Sequence, residues 1–195
     1  TYDEMLEMAS LGAKVLHSRC VEIAKKYGVE LLVCSSLNRN SGTMVREKTK
    51  MEKMLISGVA ADKNVAKIRV AGLGNDPEST FRLLNLLDRN NLNIDVMIQS
   101  LGKDGTKSVS FTVAKPDMLR TIDVLNDNKD SLGIKKLDYD ENVAKISVIG
   151  AGVRSHSGVA AKMFGALANA GINTEMITTS EIRITALIDE AYADQ

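Results

Sequence analysis

Tryptophan is absent from this chain and aromatic residues are scarce. Among 195 residues there is no Trp, and Phe, Trp and Tyr together make up 4%. This scarcity weakens any argument for a surface that stacks nucleic-acid bases. The formal net charge is zero, with 25 basic and 25 acidic residues, so no bulk field would attract nucleic acid or an anionic membrane. The composition therefore predicts neither partner.

Long apolar segments are missing as well. No stretch approaches the roughly 20 apolar residues that span a bilayer, and the first residues show no basic-then-apolar leader. Hydrophobic residues make up 44% and charged residues 26% of the chain, a balance typical of soluble globular proteins. We therefore expect a cytoplasmic protein without a membrane segment.

Cysteine and histidine are too few to suggest a metal centre. The spacing of Cys20 and Cys34 matches no metal motif, and two reduced thiols are expected because disulfides are rare in the cytosol. Neither His17 nor His156 has a Cys or a second His at ligand spacing. We therefore predict no metal site, and we place His156 in a helix cap instead.

A repeat is the most informative feature that the sequence does contain. The segment NVAKIRVAGLG (64–74) returns as NVAKISVIGAG (142–152), and LNIDVMIQS (92–100) is echoed by INTEMITTS (172–180). Such self-similarity indicates a duplicated structural unit. Paired small units with matching polar positions are a common way to form ligand sites.

The first copy of the repeat reads as βαββαβ. Its first strand contains Ile68 and Val70 between charged residues, Pro77 lies near a helix start, and Asp104-Gly105 marks a hairpin turn. Pro116 opens a second helix. This order predicts an α+β fold, a ferredoxin-like antiparallel sheet with two helices on one face. The residues expected in its core are Phe81, Leu84 and Leu87 from the first helix, Val109, Phe111 and Val113 from the third strand, and Met118, Leu119, Ile122 and Leu125 from the second helix.

The second copy repeats only the first half of this order. Ile146 and Val148 begin it, and the alternation from Ile182 to Ile188 predicts its third strand. A second helix and a fourth strand are expected to be missing, since the sequence ends at Gln195. The apolar run 54–60 can supply the missing strand, which would insert the first copy within the second.

The first 45 residues differ from the repeats. Gly28 is expected to end a helix, and residues 31–34 are suited to a buried strand. A helix and a strand cannot close a core alone, so this segment reads as the tail of a larger domain, followed by a charged linker at 44–53. The helical face expected to be buried consists of Cys20, Ile23, Ala24 and Tyr27.

Two glycine-rich turns invite a comparison with dinucleotide-binding motifs. The turn at 72–77 reads G-x-G-x-x-P, and the turn at 150–155 reads G-x-G-x-x-S. Both lack the third glycine and a long parallel βαβ context, so dinucleotide binding is disfavoured. Two interpretations remain: a tight strand-to-helix turn, or a turn whose backbone N–H groups hold a carboxylate such as that of an amino acid.

Polar residues recur on the second strand of each copy. Asp95 and Gln99 share one face of that strand in the first copy, and Glu175 and Thr179 occupy the matching places in the second. Solvated outer faces are one interpretation, since they are usual for a two-layer α/β unit. The other is a site for the ammonium group and side chain of an amino acid, completed by the adjacent turn at 75–76.

These segments together resemble a known family. The NVAKI strands, the glycine turns, LNIDVMIQS, GAGVRSHSGVAAKMFGALANAGIN and above all TTSEIRITALIDE are similar to the tandem ACT domains of aspartate kinase. The opening YDEMLEMASLGAKVLHSRCVEIAKKYGV resembles the end of that family's amino-acid-kinase domain. The resemblance implies a kinase-domain remnant over 1–45, a linker and completing strand over 46–61, a first ACT unit over 62–140, and a second, incomplete one over 141–195.

The resemblance also implies an activity for the full-length enzyme. Aspartate kinases transfer the γ-phosphoryl group of ATP to the side-chain carboxylate of L-aspartate, giving 4-phospho-L-aspartate, and the full-length enzyme uses ATP and Mg²⁺. The family's glycine-rich K-F-G-G strand is not in this sequence, and phosphoryl transfer depends on positioning of the phosphates. We therefore expect no catalytic residue and no cofactor in this chain, and no activity from it alone.

Regulation is the role that the resemblance implies for the ACT units. ACT domains of this family bind end-product lysine, threonine or both, and they associate side by side. Lysine or threonine, a second copy of the chain, or a catalytic kinase subunit are therefore the expected partners. The residues that match the family's effector contacts are Asn75, Asp76, Asp95, Gln99, Val159, Ala160, Asn173, Thr174, Thr179 and Ser180.

Three departures from the family's pattern leave an alternative open. Glu78 stands where a glycine is usual, Thr174 where an isoleucine is usual, and Ala160 where a threonine is often found. Glu78 adds negative charge at a place suited to an effector's carboxylate. The alternative is therefore a dimerisation module whose effector sites are degenerate.

Overall fold

Helices and strands alternate along the chain much as the repeats predict. The computed structural model describes residues 1–38, 40–47, 56–156 and 158–195, and of residues 154 and 155 it describes the backbone only. The helices are α1 (Tyr2–Ser10), α2 (Ser18–Tyr27), α3 (Pro77–Arg89), α4 (Met118–Asp127), α5 (Lys129–Leu132), α6 (Gly152–Ser155) and α7 (Gly158–Asn169). The strands are β1 (Leu31–Val33), β2 (Thr43–Val45), β3 (Gly58–Leu73), β4 (Met97–Leu101), β5 (Lys107–Ala114), β6 (Lys136–Ile149), β7 (Met176–Thr179) and β8 (Arg183–Asp189).

Two units make up the chain. Unit 1 comprises Thr1–Asp62, Lys145–Ile188 and Gln195, and unit 2 comprises Lys63–Ala144 and Asp189–Asp194. The boundaries fall inside β3 and β6, so each of these long strands contributes to both units. The sequence suggests one strand at 54–60 and a second one that contains Ile68 and Val70. Over the described residues the backbone forms a single strand there, β3. The predicted domain boundaries themselves stay predictions.

Unit 2 contains a sheet whose strands lie in the order β4-β5-β3-β6. Strand β5 pairs antiparallel with both of its neighbours. The β4–β5 hairpin turns at Gly105, whose φ of 76° suits a glycine. Val109, Phe111 and Val113 are at most 3% exposed and pack with α3 and α4. Unit 2 thus has the predicted βαββαβ order and the predicted third-strand core.

The buried faces of α3 and α4 agree with the predicted ones only in part. Leu87, Met118, Ile122 and Leu125 are buried as predicted. Phe81 and Leu119 are 65% and 67% exposed, although the sequence places both in the core. The inward positions are Leu83 and Leu87 on α3 and Leu125 on α4, each at most 1% exposed. Because residues four apart share a helix face, a small rotation of the helix exchanges one apolar set for another. Apolar character alone does not fix that rotation.

In unit 1 the strands lie in the order β3-β6-β8-β7. Alternation predicts one buried face for β8, but Thr185 and Leu187 are buried as well. The Thr185 hydroxyl is satisfied there, because it lies 2.8 Å from the hydroxyl of Ser147 on β6. The cluster in which α7 packs on the sheet consists of Val148, Val159, Met163, Ile172, Ile184, Ala186 and Ile188.

The N-terminal helix pair forms a separate small cluster within unit 1. Helix α2 ends at Gly28 as predicted, with a φ of 64° at that residue. Val21 and Ala24 face inward, whereas Ile23 and Tyr27 are exposed, so the predicted buried face is wrong except for Ala24. The inward residues of α2 pack against α1 and β2 in this cluster.

The segment after α2 is also less buried than predicted. Strand β1 pairs antiparallel with β2, but Leu32 is 57% exposed, so β1 is not a buried strand. Strand β2 ends at Val45, where the sequence predicts the start of a linker. Residues 48–55, which include most of that linker and the beginning of the 54–60 run, lie outside the described residues.

Two leucines on α4 test the observed rotation of that helix. Leu125→Ala removes a fully buried side chain and should lower the free energy of unfolding by about 2–5 kcal/mol. Leu119→Ala truncates an exposed side chain and should change it by less than about 0.5 kcal/mol. Urea unfolding followed by circular dichroism measures both. Equal losses would contradict the rotation.

Candidate functional site

The turn between β3 and α3 in unit 2 is closed by its own aspartate. The Asp76 carboxylate accepts the backbone N–H of Glu78 at 3.0 Å and the hydroxyl of Ser79, and it lies 3.5 Å from the Arg82 guanidinium. These contacts, the Ser79 hydroxyl above all, hold the pKa of Asp76 below its usual value. Gly74 permits this cap, because a Cβ there would lie 2.6 Å from Asp76 Oδ2.

Gln99 meets the first turn of α3. It lies opposite Val109 on β5, and cross-strand neighbours share a face of the sheet, so Gln99 is on the helix-covered side. There its Oε1 accepts a 2.6 Å hydrogen bond from Thr80. Gln99 is nevertheless exposed, so both the solvated-surface interpretation and the ligand-site interpretation of this face stay predictions. Oε1 is engaged in this bond, and the Nε2 group is the hydrogen-bond donor of the carboxamide.

Other polar groups surround the same turn. Lys107 Nζ donates to the backbone carbonyl of Asp76 at 2.8 Å, and Asn75 is exposed within the turn. Asp95 precedes β4 and is exposed, and its backbone N–H donates to the carbonyl of Thr112 at 3.1 Å. The structure thus brings Asp76, Gln99 and Lys107 around the start of α3, together with Thr80, which sequence reasoning missed.

The corresponding turn in unit 1 is held differently. Gly150 N–H donates to the carbonyl of Ile182 at 2.9 Å, which fixes the turn to the start of β8. The backbone N–H of Val159, expected to contact an effector, instead donates to the carbonyl of His156 at 3.2 Å. His156 is the C-terminal cap of α6, with its own N–H donating to Gly152. His156 therefore lies at a helix cap, but at the C-terminal end of α6 and through its backbone, and not as a side-chain cap of a helix N-terminus.

The remaining predicted site residues of unit 1 lie along α7 and β7. Thr179 lies opposite Ile184 and so faces the α7 side of the sheet, as Gln99 does in unit 2. Ser180 is exposed, and its N–H donates to the carbonyl of Arg183 at 2.8 Å. Ala160 and Thr174 are half-buried and Asn173 is exposed.

Two glutamates of α1 contact this region, and sequence reasoning missed both. Glu4 is 8% exposed, and its Oε1 accepts the hydroxyl of Ser57 at 2.5 Å and the backbone N–H of Ala151 at 3.2 Å. Glu7 lies 2.8 Å from the Arg183 guanidinium. The available signal was the E-x-x-E spacing, which puts two carboxylates on one helix face. The spacing alone, however, does not identify the residues that these carboxylates contact.

The pKa of Glu4 departs strongly from its ordinary value. Burial raises it, whereas hydrogen bonds from the hydroxyls of Ser57 and Thr1 lower it. The pKa of Glu4 lies below its ordinary value as a result. The ionised carboxylate is therefore the form that the fold stabilises.

The chain is similar to aspartokinases over its whole length. It is 44% identical over 200 residues to an aspartokinase from Helicobacter pylori, an alignment that covers 100% of this chain and 49% of the relative. It also matches a crystal structure of aspartokinase alpha and beta subunits with 42% identity and a TM-score of 0.67, covering 71% of this chain and 91% of that one. The chain belongs to the aspartokinase family.

Further comparisons identify which part of an aspartokinase this is. A family model of the ACT domain matches residues 146–195. A crystal structure of E. coli aspartokinase III in complex with lysine and aspartate is 26% identical with a TM-score of 0.76, covering 100% of this chain and 43% of that one. The chain spans about half the length of the curated relatives it matches. It is the regulatory, ACT-containing region, and the predicted family and α+β ferredoxin-like fold are confirmed.

Metal and membrane features are not evident within the described residues. No group of three or more His, Cys, Asp or Glu side chains among them is placed to hold a metal ion. Over the same part of the chain, every helix is too short or too polar to cross a bilayer.

The lowered pKa of Glu4 predicts a pH-dependent contribution to stability. A carboxyl group whose pKa is lower in the folded state contributes stability above its unfolded pKa and loses it as the pH falls toward the folded value. Glu4→Gln should therefore destabilise the chain at pH 7, and the difference should shrink as the pH falls below 4.5. Urea unfolding of both proteins across this range measures it. A difference that stays constant with pH would contradict the assignment.

Proposed function

We propose that this chain is the effector-sensing region of an aspartokinase and that it binds lysine, threonine or both at its ACT units. The observation that carries the proposal is the meeting of Gln99 with Thr80 at the start of α3, beside the Asp76 turn and Lys107. The lysine complex of the related E. coli aspartokinase III supports an amino acid as ligand. Polar groups of both signs at one place suit a zwitterion.

Six of the predicted residues have a chemical role in this proposal. The Asp95 carboxylate pairs with the effector's ammonium group, and Gln99 Nε2 donates to its carboxylate or hydroxyl. In unit 1, Thr179 and Ser180 close the corresponding site, with Asn173 and Thr174 at the entry to β7. The two units diverge at these positions, so their affinities and preferred amino acids differ.

Regulation follows from differential affinity. An effector that binds one arrangement of the ACT units more tightly shifts the population toward it, and the coupling acts equally in both directions. In the full-length enzyme the regulated reaction would be phosphoryl transfer from Mg·ATP to the side chain of L-aspartate. Self-association through the ACT units, or association with a catalytic subunit, would carry the effect to the kinase.

A dimerisation module with degenerate effector sites is the second candidate. It is favoured by the cap in unit 2, where the Asp76 carboxylate already accepts the N–H of Glu78. Glu78 itself adds a further negative charge at the start of α3. An effector carboxylate placed at this turn would meet two like charges, which disfavours binding.

Calorimetry on the 195-residue chain separates the two candidates. Lysine or threonine should release or absorb heat with the wild-type chain. Asp95→Ala should weaken binding about 10-fold or more, because a charge-assisted hydrogen bond is lost. Asp88→Ala, an exposed acidic position on α3, is the matched control and should bind normally.

The molecular mass of the same proteins in solution should be measured by sedimentation equilibrium. A sensor loses its response in Asp95→Ala. A pure dimerisation module shows no heat or thermal shift at millimolar amino acid in any variant, while its oligomeric mass stays constant. That second result would reject effector sensing by this chain.

A further inference from the structure

The two copies of the glycine turn are held by carboxylates from very different places. In unit 2 the carboxylate comes from Asp76, two residues from the N–H of Glu78 that it accepts. In unit 1 it comes from Glu4, 147 positions away from the N–H of Ala151. One turn is therefore closed locally, while the other depends on α1.

A second contact attaches α1 to the β7–β8 turn. Glu7 Oε2 accepts from the Arg183 guanidinium at 2.8 Å, and the Arg183 carbonyl accepts the N–H of Ser180 at 2.8 Å. Both side chains of this ion pair are less than 30% exposed. Helix α1 thus holds both segments that border the predicted effector site of unit 1, the turn at 150–152 and the turn at 180–183.

Close packing also holds the residues after α1 against β3. The residues after α1 approach β3 so closely that a Cβ on Gly12 would lie 2.4 Å from the carbonyl oxygen of Ala61, and Gly12 has a φ of 101°. Leu11 is buried in one cluster with Ala60 and Ile149. Since a backbone oxygen cannot move aside as a side chain can, this register between α1 and β3 requires glycine.

We propose that the docking of α1 is coupled to the predicted effector site of unit 1, with Glu4 and Glu7 as the positioning residues. This rests on the proposed function, since it presumes an effector that contacts 159–160 and 179–180. Such an effector restrains the turns at 150–152 and 180–183, and these turns hold α1. Effector binding therefore tightens the docking of α1, and by reciprocity the detachment of α1 weakens effector binding by the same factor.

Hydrogen exchange of the 195-residue chain, with saturating L-lysine or L-threonine and without, tests the coupling. In the wild-type chain, exchange in α1 should slow when the amino acid binds. Glu7→Gln should abolish this slowing and raise the Kd about fivefold or more, and Glu7→Asp should restore part of both. Glu4→Gln should act in the same direction.

Asp3→Asn is the matched control on the same helix. Asp3 pairs with Lys25 of α2 at 2.5 Å, so its loss removes a charge from α1 without touching the turns at 150–152 and 180–183. This variant should keep the wild-type Kd and the slowed exchange in α1. If the Kd and the response of Glu7→Gln match those of Asp3→Asn, the coupling is rejected.

The outcome also distinguishes this inference from the proposed function. If neither amino acid binds, effector sensing fails, and exchange without ligand decides the remaining claim. Glu4→Gln and Glu7→Gln should then accelerate exchange at 150–153 and 180–183 relative to Asp3→Asn. Unchanged exchange at both turns would overturn the positioning role. If an amino acid binds and α1 does not respond, sensing stands and the coupling is wrong.

Discussion

The continuity of β3 and β6 is the constraint on which the rest of the structure depends. Each strand contributes one stretch to unit 1 and another to unit 2, so neither unit is built from a contiguous piece of chain. The pairing partners on either side, β5 in unit 2 and β8 in unit 1, are placed by these two strands. Both glycine turns follow directly from their ends, so the same strands position both candidate sites.

The divergence of the two turns matters more for function than their similarity. In each copy a strand passes through glycines into a helix, and in each copy a carboxylate of the protein accepts a backbone N–H there. Asp76 lies in its own turn and accepts the backbone N–H of Glu78 there, so the closure of that turn needs no distant segment. Glu4 lies on α1 and accepts the backbone N–H of Ala151 in the other turn, so that turn is closed by a distant segment. The repeat therefore yields one turn closed by its own aspartate and one turn closed by a glutamate of α1.

Sequence patterns predicted the core residues of β5 fully and those of the helices in part. Alternation correctly identified Val109, Phe111 and Val113 as core, because side chains on a strand have only two directions. On helices the same reasoning misplaced Phe81 and Leu119, since several rotations bury a comparable amount of apolar surface. At the candidate site, Gln99 was identified from its motif. Its partner Thr80 was not, because their hydrogen bond joins a strand to a helix 19 positions away.

The sequence by itself determined the duplicated units, their βαββαβ order, the glycine turns and the family. All of these can be recognised from residue types at short, regular spacings, because such spacings reflect local backbone structure. Only the tertiary structure decided that β3 and β6 run unbroken through both units. It alone also decided that Gln99 faces the helices and that Glu4 and Glu7 reach Ala151 and Arg183. Contacts between residues 147 and 176 positions apart depend on how the whole chain packs, and no local pattern encodes them.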